Sequence, residues 1–262
     1  MRRLTSIFLG LSLALSSTAC VPATPSPEPT LGASLGTLQV STPTEPGWTS
    51  SGVEGDTCDN DYMPSDEGTT WAFAGNSSAT GAYTRTDTIV SSGDDGFTVE
   101  TQLTKVTYTQ EFACTDEGLV NMEPNQSDIA VMLRGPSGGV SVQRVSNSGV
   151  TFPMEIQAGD SWQQVFEWQA TGPDSSGHGT FTYDFTAVGI EKVSVPAGTF
   201  DALRIDAVVQ MDIGFNPTVS GTYVTTIWLV QDIGLVKSEG TSQIPGVKFT
   251  DSLELVAFDS GS

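Results

Sequence analysis

The sequence predicts an all-β domain formed by a curved antiparallel sheet, either a half-barrel or a barrel-like body, with a β-sandwich as the alternative. Three observations support this fold class. Apolar and polar residues alternate with a period of two through much of the body, as expected for strands with one buried face. Threonine, valine and aromatic residues, which suit pleated and half-buried surfaces, are abundant there. No window of about 12 or more residues shows a convincing helical period.

The first element, residues 1–19, has the features of an exported protein's leader. Two arginines precede an apolar run over residues 7–15, which is shorter than the roughly 20 residues of a membrane-spanning helix. Small residues and Cys20 follow, and this pattern resembles a bacterial lipoprotein signal peptide with its lipobox. We therefore expect cleavage between Ala19 and Cys20, and lipidation of Cys20 by acyl chains such as palmitate. Ser17 stands where a lipobox usually has leucine, so a secreted, unlipidated protein and an uncleaved anchor are the alternatives.

The second element, residues 20–49, is predicted to be the lipidated cysteine followed by a disordered tether rich in proline and threonine. It has few large apolar residues, so it cannot bury enough surface to order itself. A flexible chain of this length spans about 30 Å. That distance would hold a folded domain clear of the lipid headgroups.

The cysteine count is consistent with this assignment. The chain has three cysteines, and an odd number in an exported protein leaves one thiol unexplained. If Cys20 carries a lipid, Cys58 and Cys114 can form a disulfide in an oxidising compartment. Closing a loop of this length would stabilise the domain by roughly 4 kcal/mol.

The net charge of −21 excludes some classes of partner. Lysines and arginines are scattered singly through the body, without a basic run, so no nucleic acid is expected to bind. Anionic lipid is not expected to bind the domain by charge either. The N-terminal lipid would therefore supply the membrane affinity.

The third element, residues 50–262, is expected to be a single domain because no proline-rich break interrupts it. The clearest alternating segments are residues 97–103, 106–112, 181–187, 203–209 and 223–229. Residues 179–195 have the length of one long strand with a bend near Gly189. Long, bent strands favour a curved sheet, although alternation alone does not exclude a sandwich. Residues 125–133 are the best candidate for one or two turns of helix.

A short pattern occurs twice in the body and suggests an internal duplication. Gly68-Thr69-Thr70-Trp71 and Gly159-Asp160-Ser161-Trp162 have the same form, and each follows a turn that contains proline. In each case glycine would supply the tight turn, and tryptophan would begin a strand that faces the core.

Three stretches carry a resemblance to a known family: residues 62–73, 193–202 and 228–237. The first contains Gly-x-x-Trp, the second Pro-Ala-Gly-Thr-Phe and the third Trp followed by Gly-Leu-Val-Lys. In this order they resemble a family of exported bacterial proteins of the kind called TapB-like. The resemblance implies a curved antiparallel sheet similar to that of envelope lipoprotein carriers, and it implies no established activity. We interpret the three stretches as structural, with Lys237 a solvated charge at a sheet edge.

No catalytic residue, cofactor site or metal site is predicted, and the chain is predicted not to be an enzyme. The only histidine, His178, lies in a glycine-rich segment interpreted as a loop. A catalytic histidine would have to be held beside a nucleophile. An acidic cluster formed by Asp56, Asp59, Asp61, Asp66 and Glu67 leaves calcium binding open, although it lacks the EF-hand spacing.

Trp71, Trp162, Trp168 and Trp228 have two interpretations. They are either core residues or the apolar ligand face of a half-barrel. We therefore predict a cell-envelope lipoprotein, on the extracytoplasmic side of a bacterial membrane, with a non-enzymatic β-domain that binds an apolar ligand or an envelope component. A structural or adhesive surface module and a secreted binding protein are the alternatives. The oligomeric state is not predicted.

Overall fold

The structure is a computed structural model that describes residue 58 and residues 60–104, 106–122, 141–171, 176–214, 219–245 and 248–261. Their regular secondary structure is entirely β, and they contain no helix. The predicted leader, tether and helical segment at 125–133 lie outside these residues. No helix long and apolar enough to cross a bilayer occurs in the described part of the chain.

In the described part of the chain, thirteen antiparallel strands form one sheet. Their bounds are β1 Thr70–Ser77, β2 Gly81–Gly93, β3 Gly96–Leu103, β4 Val106–Thr115, β5 Gly118–Asn121, β6 Ser141–Gly149, β7 Phe152–Pro153, β8 Ser161–Thr171, β9 Ser176–Val195, β10 Gly198–Gly214, β11 Val219–Val230, β12 Gly234–Ser242 and β13 Thr250–Asp259. Their order across the sheet is β6-β8-β9-β10-β11-β12-β13-β1-β2-β3-β4-β5-β7. The predicted all-β class is confirmed.

The sheet curves until its two ends meet. Asn147 on β6 donates its side-chain N–H to the carbonyl oxygen of Asn121 at the end of β5, at 2.8 Å. Arg144, also on β6, donates to the carbonyl oxygen of Met122 at 2.8 Å. We call this junction the seam. Side chains join the two ends there, and the backbone ladder of the described strands does not close into a barrel. The predicted curved antiparallel sheet is therefore confirmed.

The sheet contains two five-stranded meanders, β1–β5 and β8–β12, which begin with the same hydrogen bonds. In each, a positive-φ glycine of the Gly-x-x-Trp pattern and the residue after it exchange backbone hydrogen bonds with the neighbouring strand. The pairs are Gly68 N to Ile89 O and Ile89 N to Thr69 O in the first, and Gly159 N to Ala187 O and Ala187 N to Asp160 O in the second. The repeated pattern therefore marks a repeated local structure.

A β-bulge follows both equivalent positions, and the extra residue is valine in each case, Val90 and Val188. The ladders skip three further residues in the same way, and these are also valines: Val145, Val236 and Val256. A bulge bends its strand and increases the local twist. The sheet thus acquires its curvature at several β-branched residues.

Most of the core lies on one face of the sheet, which we call the inner face. Register places Phe73 opposite Leu255, and both are buried at 3% and 0% exposure. On the second meander the same face carries Leu203, Ile205 and Leu229, which form a cluster with Tyr62 from the segment before β1. Strands alternate, so every other residue points to the opposite, outer face.

The β9–β10 hairpin extends beyond its neighbours. In the described ladders β8 pairs with β9 only as far as Thr186, and β11 pairs with β10 only from Leu203 onward. Residues 188–202, which we call the arm, continue past this point. The amide N–H of Ala197 at the tip donates to the carbonyl oxygen of Leu255 on β13 at 3.0 Å. The arm therefore reaches across β11 and β12.

A disulfide joins Cys58 to Cys114, with a Cα–Cα distance of 5.0 Å and a sequence separation of 56 residues. Cys58 is only 2% exposed and precedes β1, while Cys114 lies on β4. The bridge therefore fastens the start of the described domain to the first meander.

Candidate functional site

The four tryptophans considered as either core residues or a possible apolar ligand face lie on two faces. Trp71, Trp162 and Trp168 point to the inner face. Trp228 is opposite Arg204 and Lys237 in the ladders and lies between Ile227 and Leu229 on β11, so it points outward. The structure therefore brings only three of them to a common surface.

Two of the inner tryptophans are core residues. Trp71 is 4% exposed, and its indole N–H donates to the carbonyl oxygen of Ile233. Trp168 is also 4% exposed and stacks on Phe181 with ring centroids 5.8 Å apart. These residues stabilise the sheet by burial and leave little surface for a ligand.

Trp162 is the exception because it lies half-buried in a row of aromatic rings along β8 and β9. It stacks on Phe185 at 5.3 Å, and Phe185 stacks on Tyr183 at 6.2 Å. Tyr183 in turn meets Phe166 edge-on at 5.6 Å. Alternation predicted that Tyr183 and Phe185 share one face of a strand, but it did not link them to Trp162, because that requires the register between β8 and β9.

Trp228 lies beneath the arm on the outer face and is 8% exposed. Val193 and Ala202 of the arm belong to the same hydrophobic cluster. The indole N–H donates to the carboxylate of Glu191, also on the arm. The ammonium group of Lys237 lies 5.3 Å from the ring centroid, a cation–π contact. Trp228 thus fixes the arm to the sheet.

Lys237 is not the solvated edge charge that the sequence suggested. Its strand, β12, pairs with β11 on one side and β13 on the other. Its ammonium group lies 2.8 Å from a Glu239 oxygen and 3.7 Å from a Glu254 oxygen. The hydrogen bond to Glu239 is the main reason that the pKa of Lys237 is raised above its ordinary value.

A charged pair on the inner face was not expected. Arg85 donates from Nε to both oxygens of Asp87, at 2.9 and 3.0 Å, and the hydroxyl group of Thr101 donates to Asp87 at 2.8 Å. The guanidinium group lies 5.9 Å from the centroid of the Phe73 ring. Charged residues are rarely buried unless paired, so alternation assigns them to the solvent face. The sequence gives no signal for this inward pair.

The structure gives little support to the two other kinds of chemistry considered from the sequence, catalysis by a histidine and metal binding by acidic residues. His178 lies on β9 opposite Gly214 and is exposed, so the interpretation as a loop is wrong. Across the described segments, no three histidine, cysteine or acidic side chains cluster in a way that could hold a metal ion. Asp56 and Asp59 of the acidic cluster, together with Ala19 and Cys20, lie outside the described residues.

Comparison with models of protein families assigns the chain to a family. Residues 105–243, more than half of the sequence, match the model of the DUF3108-like family. The chain belongs to the DUF3108-like family. No curated protein matches this DUF3108-like sequence. The finer resemblance to TapB-like proteins stays a prediction.

Two crystal structures are similar to the DUF3108-like fold described above. One is described as an exported protein with a YmcC-like fold from Bacteroides fragilis, and the other as a lipoprotein from Parabacteroides distasonis. Each is 13% identical to this chain, with a TM-score of 0.51, and the match covers 77% of this chain and all of the other. At this identity the likeness is one of fold.

The three motif stretches of the DUF3108-like chain lie together in space. One hydrophobic cluster contains Trp71 from the first stretch, Val193 from the second and Trp228 from the third. The amide N–H of Asp232 also donates to the carbonyl oxygen of Asp61, just before the first stretch, at 2.9 Å. These contacts give all three stretches a role in packing.

Proposed function

We propose that this chain is a lipoprotein of the bacterial cell envelope, whose β-domain is not an enzyme and acts by contacting another envelope component through its outer surface. The observation that carries the proposal is the occupied inner face. Trp71 and Trp168, two of the three inner tryptophans, are 4% exposed, and Leu255 and Ile205 are completely buried. A domain whose interior is largely filled by its own side chains has its outer surface for recognition.

The anchor is supported by the leader, by Cys20 and by the proline-rich segment that follows it. The solved structures of similar fold are described as an exported protein and a lipoprotein, in keeping with the envelope. The disulfide between Cys58 and Cys114 also suits the oxidising, extracytoplasmic side of a membrane. The proposal that the domain is not an enzyme rests on the sequence and on the exposed position of its only histidine, His178.

Intact mass combined with detergent partitioning tests the anchor. We expect the protein, made in a bacterium with its own leader, to enter the detergent phase as a species that begins at Cys20 and carries added acyl mass. A Cys20→Ala variant is the control and should stay in the aqueous phase without acyl mass. Partitioning of both proteins into the aqueous phase would refute lipidation and favour a secreted binding protein.

A second function, binding of an apolar ligand, is favoured by the half-buried aromatic row. Trp162, Tyr183 and Phe185 present stacked rings on the inner face and are not fully buried. Native mass spectrometry of the purified full-length protein tests it. A bound lipid that is lost in a Phe185→Ser variant, but kept in a Thr186→Ser variant on the outer face, would support this function. The absence of any bound mass would leave surface contact as the function.

A further inference from the structure

The outer face of the second meander carries an exposed apolar pair. Val208 on β10 and Val224 on β11 lie directly opposite each other in the ladder and are 36% and 41% exposed. Cross-strand neighbours of this kind touch and form a continuous surface. Exposed apolar groups surrounded by polar ones are a common feature of contact surfaces.

A groove of about 570 Å³ adjoins this pair, and Val224 forms part of its wall. The other groups that line it on the outer face are mainly hydroxyl, amide and carboxylate groups, from Asn76, Thr226, Glu239, Thr241, Thr250 and Ser252. Such groups can accept and donate hydrogen bonds to an extended polypeptide.

Carboxylates flank the pair, and neighbouring donors hold two of them in place. Asp184 lies opposite Val208 and accepts hydrogen bonds from Gln163 at 2.7 Å and from Gln210 at 3.1 Å. Asp206, two residues before Val208, accepts from Thr226 at 2.9 Å. Fixed side chains lose little entropy on binding, so Asp184 is preorganised for a cationic partner, while Asp206 is held by Arg204 as well.

Two cations described on the same part of the outer face are already engaged. Arg204 donates to both oxygens of Asp206, at 2.9 and 3.0 Å. Lys237 is paired with Glu239 and Glu254. Asp184 has only neutral donors among its described hydrogen bonds, so the charge balance beside the valine pair is negative.

The first meander provides an internal comparison. Its register places Thr86, Gln102 and Thr107 in one row, at the positions where the second meander has Asp184, Val208 and Val224. The two rows occupy equivalent positions in the ladders of the same sheet, so their backbones contribute to the fold in the same way. Only the second row has become acidic and apolar, so the difference does not serve the fold common to both.

We propose that the outer patch, defined as Asp184, Asp206, Val208, Val224 and Glu239, docks a basic segment of a protein partner. Apolar side chains of the partner contact the valine pair, and its lysines or arginines meet the flanking carboxylates. This inference rests on the proposed contact function and specifies its site. A second copy of the chain carries the same net charge of −21 and is repelled, and an anionic lipid surface is repelled in the same way.

Site-specific photocrosslinking in the producing bacterium tests the proposal with the full-length protein. A photoreactive residue at Val224 is compared with one at Thr107, the equivalent exposed position of the first meander. We expect at least a fivefold stronger protein crosslink from position 224, with the crosslinked peptide rich in lysine and arginine. Adding Asp184→Asn and Glu239→Gln should weaken the crosslink at least fivefold, while the thermal unfolding of the purified variants shows that the fold is kept.

Several results would overturn the patch. These are equal crosslinking at positions 224 and 107, a crosslink to a second copy or to lipid, a neutral or acidic contact peptide, and insensitivity to the two neutralising substitutions. Crosslinking to a protein at position 107 alone would reject the patch but keep the contact function. No protein crosslink from either position would count against both.

Discussion

Gln164 connects several residues at the seam. It is 1% exposed, accepts from the hydroxyl group of Thr151 at 2.6 Å, and donates to Asn121 at 3.0 Å and to Asn147 at 3.1 Å. Asn121 belongs to one end of the sheet and Asn147 to the other. One amide therefore links both ends, in a place where water cannot easily replace it.

We expect Gln164→Ala to lower the free energy of unfolding by about 2–4 kcal/mol, because buried polar partners lose their hydrogen bonds. Its neighbour Gln163, whose side chain is exposed and bonded to Asp184, provides the matched control. Gln163→Ala should change stability by no more than about 0.5 kcal/mol. Urea unfolding of both variants measures the two losses. Equal losses of free energy would show that the hydrogen bonds of Gln164 at the seam stabilise the fold no more than those of the exposed Gln163.

The pKa of Tyr62 predicts how the stability of the domain changes at alkaline pH. Burial, and secondarily the charge of Asp61, raise the pKa of Tyr62 above its ordinary value of 10.0. The folded protein thus holds the phenolic proton more tightly than the unfolded chain does. The stability that the folded state gains from this difference in pKa is fully present below pH 10.0, and it is lost as the pH rises through the pKa of the folded state.

Urea unfolding of wild type and Tyr62→Phe at pH 9 and pH 11 measures this effect. Phenylalanine has no proton to lose, so the free energy of unfolding should fall less steeply with pH in the variant. A decline remains in both proteins, because Lys237 also has a raised pKa. Parallel declines of the two proteins would show that the ionisation of Tyr62 is not linked to folding.

Among the elements, β9 shows best what a bulge contributes. Its ladder with β10 skips Val188, so that Ala187 lies opposite Ile205 and Gly189 lies opposite Arg204. Deleting Val188, the extra residue, would leave these pairs and their faces unchanged, but it would remove the bend that the bulge gives the strand. Without this bend the arm would no longer be directed over Trp228, and Val193 would leave the cluster that covers it.

Deleting Val188 should therefore destabilise the domain by about 2–4 kcal/mol, on the order of losing the buried contacts that Val193 makes in the arm. Val188 is 50% exposed, so Val188→Thr should have almost no effect. Thermal unfolding distinguishes the two. If the deletion were as mild as the substitution, the arm would not depend on the bulge.

Individual elements could be predicted to different degrees from the sequence. The long strand with a bend near Gly189 was expected, and β9 has this form, because alternation and glycine are local signals. The stretch that contains Pro-Ala-Gly was also expected to have a structural role. The contact of Ala197 with Leu255 was not, because a turn motif carries no information on what its tip will touch.

At the scale of the whole molecule, the disulfide between Cys58 and Cys114 is a covalent constraint that spans 56 residues of sequence. Replacing both cysteines with alanine should cost about 4 kcal/mol if the loss of loop entropy dominates. Reduced wild type should unfold at the same urea concentration as the double variant, and the variant should not respond to the reductant. A variant as stable as oxidised wild type would show that native contacts alone close the loop.

The fold class could be read from alternation, but the shape of the sheet could not. Inward and outward residues alternate identically in a sandwich and in a single curved sheet. What decides between them is where the sheet ends meet, and Arg144, Asn147 and Gln164 make that junction. These residues are polar, so nothing in the sequence indicates that their side chains point inward. The same is true of the pair formed by Arg85 and Asp87.

The pairing of β1 with β13 brings the two ends of the domain side by side. Thr69, just before β1, bonds to Ser260, just after β13, across a sequence separation of 191 residues. A protein that crosses a membrane amino end first presents β1 long before β13 arrives. Until then one edge of β1 stays open and can pair with the wrong strand. Passage through the membrane would therefore set the time at which this domain can finish folding, and a helper that shields the open edge would have to act before the last strand emerges.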